Sequence, residues 1–345
     1  PRATLTALGG MGLTGLLVPE EQGGTNLSRL TGALIYEQIG QAEMATAVWL
    51  SVHNIVTGLI HKFGGADQRA RWVPRMAAGE LLGAFALSEA HAGSDAANVR
   101  CRARREGDDY VLDGTKHWVS SAGVADVYVV FARTNEGRGA RGISAFVVER
   151  DAPGFTIGKL ERKMGLHSSP TGELVFAGCH VPAAQRLGDE GAGLKIALSS
   201  LDGGRINIGA ITTGVAQAAL EVATGYARER QAFGRAIGGF EGIQFLLADM
   251  AMKVEAARLL VYQAADTMDA GEPAGMRAAM AKCFATDAAM AVTTDAVQVL
   301  GGAGYVRDWP LGRYMRDVKA AQIFEGTNQI QRLVIARALL GEVAK

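Results

Sequence analysis

The sequence predicts an α+β protein in which a helical segment comes first, a β-rich segment follows, and long helices complete the chain. Three observations predict this order. Apolar residues recur at helical spacing up to about residue 80, at every second position in the middle, and again at helical spacing from about residue 191. We expect an N-terminal helical domain over residues 1–82, a middle β-barrel or sandwich domain over residues 83–187, and a C-terminal bundle of long helices over residues 188–345.

The composition is that of a folded protein of 345 residues with no net charge. Hydrophobic residues make up 48% and charged residues 20%, which excludes a disordered chain. Equal numbers of basic and acidic residues, 35 of each, predict no general attraction to nucleic acid or to an anionic membrane. No apolar run approaches about 20 residues, so we expect no membrane span. The three cysteines and six histidines lack the spacing of a metal site, and we expect none.

The first helical segment covers residues 27–80. Its apolar residues recur at spacings of three to five: Leu30, Leu34, Ile35, Ile39 and Ala42. Gly64-Gly65 and then Pro74 are expected to interrupt this pattern.

The middle segment consists of short predicted strands. Val99, Cys101 and Ala103 alternate with arginines, which is the period of a half-exposed strand. Asp113-Gly114 stands between two apolar runs and predicts a hairpin turn. Further strands are predicted over residues 127–132, 143–148, 155–160 and 174–176.

Two long apolar stripes predict the helices of the last segment. The first consists of Ile208, Ile211, Val215, Ala218 and Val222. The second consists of Ile243, Leu247, Met250, Val254, Ala257 and Val261. Residues 271–273 should end this second helix, and Gly301-Gly302 the one after it. Neither the glycines at 301–304 nor any other segment matches a dinucleotide-binding loop, a phosphate loop or the serine elbow of α/β-hydrolases.

Five motifs, in order along the chain, carry a resemblance to a known family. Residues 85–95 read Phe-Ala-Leu-Ser-Glu-Ala-His-Ala-Gly-Ser-Asp, and residues 322–331 read Gln-Ile-Phe-Glu-Gly-Thr-Asn-Gln-Ile-Gln. Between them lie matches at residues 117–121, 230–234 and 298–302. Together these motifs resemble the acyl-CoA dehydrogenase family over almost the whole chain. Family members usually carry another helix or two before the position of Pro1, so we expect an N-terminal truncation.

The resemblance implies the acyl-CoA dehydrogenase fold, with the three domains named above and a four-helix bundle as the C-terminal domain. It also implies an FAD-dependent reaction. The implied enzyme, an oxidoreductase acting on CH–CH bonds, converts an acyl-CoA to a trans-2-enoyl-CoA and passes the electrons to an electron-transferring flavoprotein. Such enzymes serve fatty-acid or branched-chain amino-acid catabolism and are usually homotetramers, built as dimers of dimers. We expect a cytoplasmic protein if the source is bacterial and a mitochondrial matrix protein if it is eukaryotic.

The resemblance also assigns the catalytic base, which removes the α-proton while the β-hydrogen leaves as hydride to flavin N5. The matching residue is Glu325. Desolvation raises the pKa of such a carboxylate and makes it a stronger base. A minority of the family places the base immediately before an arginine on the first long C-terminal helix. That position is Gly204, before Arg205, and glycine cannot serve.

The remaining site residues are carried over from the same motifs. The FAD-binding residues implied are Phe85, Leu87, Ser88, Ser94, Trp118, Ser120, Arg230, Phe233, Gln298, Gly301, Gly302, Thr327 and Gln329. The substrate-binding residues implied are Ser94, Asp202, Arg205 and Gly326, and Arg205 is expected to tether the base loop. The residues expected to reach the FAD of a neighbouring subunit are Arg230, Phe233, Gln298, Gly301 and Gly302.

Four residues depart from the family pattern. Ala90 and His91 replace the usual Pro-Gly, Glu241 replaces a common glutamine, and Phe85 a common tyrosine. The run at residues 201–208 resembles isobutyryl-CoA and other short-chain dehydrogenases. This resemblance favours a short or 2-methyl-branched acyl-CoA as the substrate. A medium-chain dehydrogenase, an acyl-CoA oxidase and a non-catalytic acyl-CoA or flavin-binding scaffold stay open. Chain length, pathway and electron acceptor are not determined by these residues.

Overall fold

The computed structural model describes residues 2–341 apart from the Arg138 side chain. Its elements follow the predicted order of helices, strands and helices. The helices are α1 (Arg2–Gly10), α2 (Arg29–Ala42), α3 (Met44–Phe63), α4 (Ala66–Ala77), α5 (Gly193–Glu229), α6 (Glu241–Asp269), α7 (Gly275–Leu300), α8 (Gly302–Tyr305), α9 (Leu311–Ala321) and α10 (Asn328–Leu340). The strands are β1 (Gly83–Ala86), β2 (Arg102–Glu106), β3 (Asp109–Ser120), β4 (Val127–Arg133), β5 (Ile143–Glu149), β6 (Phe155–Leu160), β7 (Thr171–Pro182), β8 (Arg186–Leu187), β9 (Gln231–Ala232) and β10 (Arg235–Ala236).

The chain forms two compact units. The first contains the start of the chain up to Ser28 together with residues 49–162 and 168–201. The second contains residues 29–48, 163–167 and the chain from Asp202 onward. Helix α2, which the predicted boundaries assign to the N-terminal domain, thus belongs to the second unit.

One eight-stranded sheet forms the centre of the first unit. The strand order is β6-β7-β3-β2-β4-β5-β8, and β1 pairs in parallel with β4. Tyr128 on β4 contacts Phe155 on β6, and Tyr110 on β3 contacts Phe146 on β5, with ring centroids 5.0 and 4.9 Å apart. Because these strands are not neighbours in the sheet, its halves pack face to face, as in a sandwich.

The hairpin turn predicted at Asp113-Gly114 is wrong. Strand β3 runs through these residues, and Gly107-Asp108 makes the turn after β2. Gly114 instead lies at a bulge, with φ 143° and a shift in the pairing to β7. A Cβ at Gly114 would lie 2.8 Å from the Cα of Cys101. A bulge and a hairpin turn both favour glycine, so the sequence signal does not separate them.

The other predicted strands are confirmed, although β7 is longer than predicted. Strands β1 and β8 were not predicted, since they are only 4 and 2 residues long. Gly64-Gly65 separates α3 from α4 as predicted, but Pro74 lies inside α4 rather than breaking it.

The second unit is built on the two predicted stripes. Ile208 and Ile211 on α5 and Met250, Val254 and Val261 on α6 are fully or almost fully buried. Helices α6 and α7 are separated by the turn around residues 271–273, and α7 ends before Gly301, as predicted.

The stripe predicted for α2 is not its buried face. Leu34 is exposed, whereas the small residues Ala33 and Gly40 are buried. A Cβ on Gly40 would collide with the carbonyl oxygen of Ile211 on α5, so this glycine permits a close helix approach.

Within the described residues, α5 alone is long and apolar enough to meet a simple criterion for a membrane span. However, 78% of its most apolar window is buried, as in the core helix of a globular protein.

Candidate active site

The loop between α9 and α10 holds Glu325 in an uncommon backbone conformation. Its φ is 52°, and Gly326 follows with φ 84°. A Cβ on Gly326 would lie 2.7 Å from Nε2 of Gln331, so glycine is required both by the backbone and by this approach. Left-handed conformations of a residue other than glycine are uncommon and cluster at functional sites.

The Glu325 carboxylate is buried at one oxygen and unpaired there. Its Oε2 has no hydrogen-bond partner among the described residues, although the residue as a whole is only half-buried. Burial raises the pKa of the Glu325 carboxyl to about 7, whereas Lys282 and Arg205 lower it. A carboxylate without hydrogen-bond donors and with a raised pKa is suited to remove a proton near neutral pH.

Lys282 on α7 holds the main chain of this loop. Its Nζ donates to the carbonyl oxygen of Gly326 at 2.8 Å and to Oδ1 of Asn328 at 2.9 Å. The Lys282 side chain is completely buried, and burial lowers its pKa to about 8.

Further side chains fasten the same loop to α7 and α10. Gln331 Nε2 donates to the carbonyl oxygens of Glu325 and Gly326 at 3.2 and 2.9 Å. Asn328 Nδ2 donates to Asp287 Oδ1 at 2.7 Å, and the same oxygen accepts from Gln322 Nε2 at 2.6 Å. The Glu325 main chain is thus positioned by side chains that lie before and after it.

Thr327 and Gln329 occupy the start of α10. Thr327 caps this helix, and its Oγ1 accepts from the main-chain N–H of Ile330 at 3.3 Å. Gln329 is exposed.

Arg205 lies on α5, near the carboxylate but not hydrogen-bonded to its loop. Its NH1 donates to Asp202 Oδ1 at 2.8 Å, while Nε is buried without a partner among the described residues. The expected tether, Arg205, does not hydrogen-bond the Glu325 loop, whereas Lys282 and Gln331 do; Arg205 acts on Glu325 through its charge.

In the first unit, the segment after β1 runs alongside β3. Lys116 Nζ donates to the carbonyl oxygen of Leu87 at 3.0 Å. The main-chain N–H of His117 donates to the carbonyl oxygen of Ser88 at 2.9 Å. The predicted flavin-edge residues Leu87 and Ser88 are therefore brought next to the strand that carries Trp118.

Trp118 lies in a bulge of β3 and points to solvent. The pairing with β7 shifts between Lys116 and Val119, and Trp118 has φ 61°. Its side chain is 60% exposed, and Ser120 two residues later is half-buried. An exposed indole on a strained bulge is not a core residue, and it leaves a ring face free to contact a planar group.

A buried ion pair fixes the loop that contains the two departures at Ala90 and His91. Glu89 accepts from Lys116 Nζ at 2.7 Å and from the main-chain N–H groups of Arg100 and Cys101 at 2.7 and 2.9 Å. These contacts restrain the loop without the proline-glycine pair.

The two remaining predicted residues of this segment differ in burial. Phe85 packs on Phe131 with ring centroids 4.9 Å apart and faces the core, so its main chain is the part available to a ligand. Ser94 is exposed.

The remaining predicted cofactor residues lie on exposed parts of the second unit. Phe233 is 96% exposed at the tip of the β9–β10 hairpin, with φ 49°. Arg230 at the end of α5 is exposed, as are Gln298, Gly301 and Gly302 at the end of α7. Glu241 at the start of α6 is exposed as well.

Two buried lysines were missed by sequence reasoning. Lys282 interrupts an otherwise small and apolar face of α7, and Lys116 occupies an inward position of β3. A lysine at a position whose period predicts burial is the signal that could have identified both. Across residues 2–341, no group of three or more His, Cys, Asp or Glu side chains is arranged to hold a metal ion.

Three family models match consecutive parts of this chain. They describe the N-terminal domain of acyl-CoA dehydrogenases over residues 1–80, the middle domain over residues 84–179 and the C-terminal domain over residues 191–340.

Curated relatives match over nearly the full chain. The acyl-CoA dehydrogenase of Bacillus subtilis (strain 168) is 48% identical over 342 residues, which are 99% of this chain and 90% of that protein. The human mitochondrial short-chain specific acyl-CoA dehydrogenase is 46% identical and covers 99% of this chain and 83% of its own. The mitochondrial isobutyryl-CoA dehydrogenase of Dictyostelium discoideum is 40% identical, and the match covers 98% of this chain and 82% of that protein.

Solved structures agree with these matches. A chain in the structure of the electron transferring flavoprotein of Acidaminococcus fermentans has a TM-score of 0.97 and 46% identity, covering 99% of this chain and 90% of that chain. The butyryl-CoA dehydrogenase of Megasphaera elsdenii has a TM-score of 0.96 and 43% identity, with the same coverage.

Proposed function

The chain belongs to the acyl-CoA dehydrogenase family, and we propose that it dehydrogenates short-chain or 2-methyl-branched acyl-CoA thioesters with Glu325 as the base. The observation that carries this proposal is the buried, unpaired Glu325 carboxylate with a pKa of about 7. As a family member it is an FAD-dependent oxidoreductase that acts on CH–CH bonds.

The chemical difficulty is the weak acidity of the carbon next to a thioester. Glu325 takes the α-proton on its carboxylate, and its own main-chain N–H is available to stabilise the negative charge that develops on the thioester oxygen. FAD, when bound, would supply the acceptor for the hydride that leaves the β-carbon. Because Lys282 and Gln331 bind the carbonyl oxygens of the loop, the Glu325 main chain, including its N–H, keeps a fixed position.

The described residues are suited to the two ends of FAD. We assign the flavin end to the segment at Leu87 and Ser88 and to Trp118 and Ser120 on β3. The exposed Trp118 ring supports this, since it lies on a bulge where no core contact requires it. The same assignment includes Phe85 and Ser94.

We assign the diphosphate and adenine end to Arg230, Phe233, Gln298 and the two glycines at 301 and 302, together with Thr327 and Gln329. A guanidinium group suits diphosphate oxygens, and all five residues of the first group are exposed. We assign these residues to the FAD of a neighbouring subunit. The substrate side of the site is assigned to Ser94, Asp202, Arg205 and Gly326.

A second copy of the chain is the partner that the surface of α6 supports. Phe245, Met252 and Leu259 recur every seven residues and are 66%, 63% and 60% exposed, opposite the buried face. A helix with two apolar faces needs a second packing partner. We propose a homotetramer, with an electron-transferring flavoprotein as the electron acceptor.

The names of the relatives support the substrate class. One is a short-chain specific enzyme, one an isobutyryl-CoA dehydrogenase, and one a butyryl-CoA dehydrogenase. A medium-chain substrate is the second candidate, because one pocket methylene changes specificity by only about 1–3 kcal/mol. Bacterial and mitochondrial relatives support a cytoplasmic location in a bacterium and a matrix location in a eukaryote.

The test is an anaerobic titration of the purified holoprotein with isobutyryl-CoA, butyryl-CoA and octanoyl-CoA, following the visible absorbance of the flavin. We expect bleaching with a long-wavelength charge-transfer band for the short chains. Glu325→Gln should retain FAD while flavin reduction slows by several orders of magnitude. The matched control is Glu272→Gln on the exposed turn before α7, which should reduce as the wild type does.

The other functions give different results. Fast reoxidation in air with product bound would indicate an oxidase. A yellow protein that no acyl-CoA bleaches would indicate a binding scaffold, and near-normal reduction in Glu325→Gln would reject the base.

A further inference from the structure

We propose that Lys282 is the positioning residue of the base: its ammonium group holds the main chain of the Glu325 loop and places a positive charge near the carboxylate. The inference rests on the proposed function, since it concerns how Glu325 is held ready for proton removal.

Lys282 makes two hydrogen bonds directly after Glu325, at Gly326 and at Asn328. Its Nζ donates to the carbonyl oxygen of Gly326 and to Oδ1 of Asn328, the first residue of α10. Among the described residues, the buried Oε2 of Glu325 has no hydrogen-bond partner, so Lys282 does not bind this oxygen directly. Lys282 therefore acts on the base through the main chain and through its charge.

The cost of burying a lysine indicates a role beyond packing. The side chain is fully buried on a helix whose neighbouring inward residues are Ala278, Ala279 and Ala285. A buried ammonium group is expensive unless it is paired, and an apolar side chain would fill the same volume at lower cost. The two hydrogen bonds compensate part of this cost, and they are made to the Glu325 loop and to the first residue of the helix that follows it.

The charged surroundings determine the direction of the effect. Glu325 faces two cationic groups, Lys282 on α7 and Arg205 on α5, and both lower its pKa against the effect of burial. Lys282 in turn interacts with Glu325, Cys283, Arg205 and Asp287. The Asp287 carboxylate forms its ion pair with Arg332, at 2.8 Å, and not with Lys282.

Removal of the Lys282 charge should therefore raise the pKa of Glu325 above about 7. More of the carboxylate is then protonated at neutral pH and cannot accept the α-proton. The pH at which proton removal is half-maximal should move upward, whereas loss of a purely structural contact would reduce the rate equally at every pH.

The experiment measures proton removal without oxidation. Holoprotein is mixed with 3-thiabutyryl-CoA deuterated at the α-carbon, which has no β-hydrogen to transfer. Loss of deuterium to water is followed by mass spectrometry from pH 5.5 to 9. The variants are Lys282→Met, which removes charge and donors, and Lys282→Gln, which keeps a donor for the Gly326 carbonyl. Lys253→Met on α6 is the matched control for loss of a lysine elsewhere in the same unit.

We expect the exchange midpoint to rise by about one pH unit in both Lys282 variants, which slows exchange about tenfold below the midpoint. In Lys282→Gln the plateau at high pH should return toward wild type, and Lys253→Met should keep the wild-type midpoint. An unchanged midpoint in Lys282→Gln, with FAD content intact, overturns the proposal. Absence of exchange in the wild-type holoprotein rejects the proposed function itself, so the two failures are distinguishable. If Lys282→Met does not fold, Lys282→Gln still decides the question.

Discussion

Replacing Glu325 by glutamine should stabilise the folded protein at neutral pH and not at acid pH. Burial raises the pKa of this carboxyl from its ordinary 4.5 to about 7. A group with a raised folded-state pKa contributes stability that is fully present below 4.5 and is lost as the pH rises through 7. Glutamine has no such ionisation, so the variant avoids that loss.

The magnitude follows from the same two values. One pH unit corresponds to about 1.4 kcal/mol, so the interval from 4.5 to about 7 corresponds to at most about 3.5 kcal/mol. The variant and wild type should have similar free energies of unfolding near pH 4.5, and the variant should gain up to about 3 kcal/mol by pH 7.5. Lys282, whose pKa is about 8, keeps most of its charge until the upper end of this window.

The assay is urea unfolding of holoprotein without acyl-CoA, at half-unit steps from pH 4.5 to 7.5. Wild type is compared with Glu325→Gln and with the exposed control Glu272→Gln. A difference between Glu325→Gln and wild type that does not grow with pH would refute the reasoning. A gain of the same size in Glu272→Gln would show that the effect comes from general charge and not from burial of the base.

Three further perturbations concern the first unit. Burial lowers the pKa of His53 to about 4, so the free energy of unfolding should fall as the pH falls from 6.5 toward 4. His53→Gln should reduce this pH dependence in urea unfolding. The same pH dependence in wild type and variant would contradict the prediction. Glu89→Gln leaves the buried Lys116 ammonium without a counter-ion and should lower the free energy of unfolding by about 3–5 kcal/mol. The double variant with Lys116→Met should recover much of this loss. Equal losses in the single and double variants would contradict a stabilising role of the ion pair. Gly114→Ala should lower stability by about 1–3 kcal/mol in thermal unfolding, since its φ of 143° and the nearby Cys101 main chain disfavour a Cβ; a neutral result would show that the bulge adapts.

Periodicity predicts the order of the elements well, because each type of element has its own spacing of apolar residues. The stripes through Ile211 on α5 and Val254 on α6 are buried as predicted. The pattern fails where burial depends on shape instead of hydrophobicity. Helix α2 buries Gly40 and Ala33 because small residues let helices approach closely, and it leaves Leu34 exposed.

The candidate base can be assigned from sequence, whereas its supports cannot. Glu325 lies in a motif that resembles a known family, and nothing else is needed to select it. Lys282 is 43 positions away in the sequence and meets the loop only after α7, α9 and α10 have packed. Glu89 and Lys116 are likewise paired only by the fold. Contacts between distant residues depend on tertiary packing, which spacing along one helix or strand does not encode.

The hydrogen bonds that hold the Glu325 loop distinguish two kinds of variant library. Its hydrogen bonds from Lys282 and Gln331 reach main-chain carbonyls, and none uses the Glu325 side chain. A library at position 325 therefore samples chemistry on a constant backbone, with Asn, Asp and Gly favoured by φ 52° and β-branched residues disfavoured. A library at positions 282 and 331 would change the hydrogen bonds to the loop carbonyls and therefore the conformation of the backbone. An engineer seeking a new reaction on this scaffold would vary the first position and keep the other two.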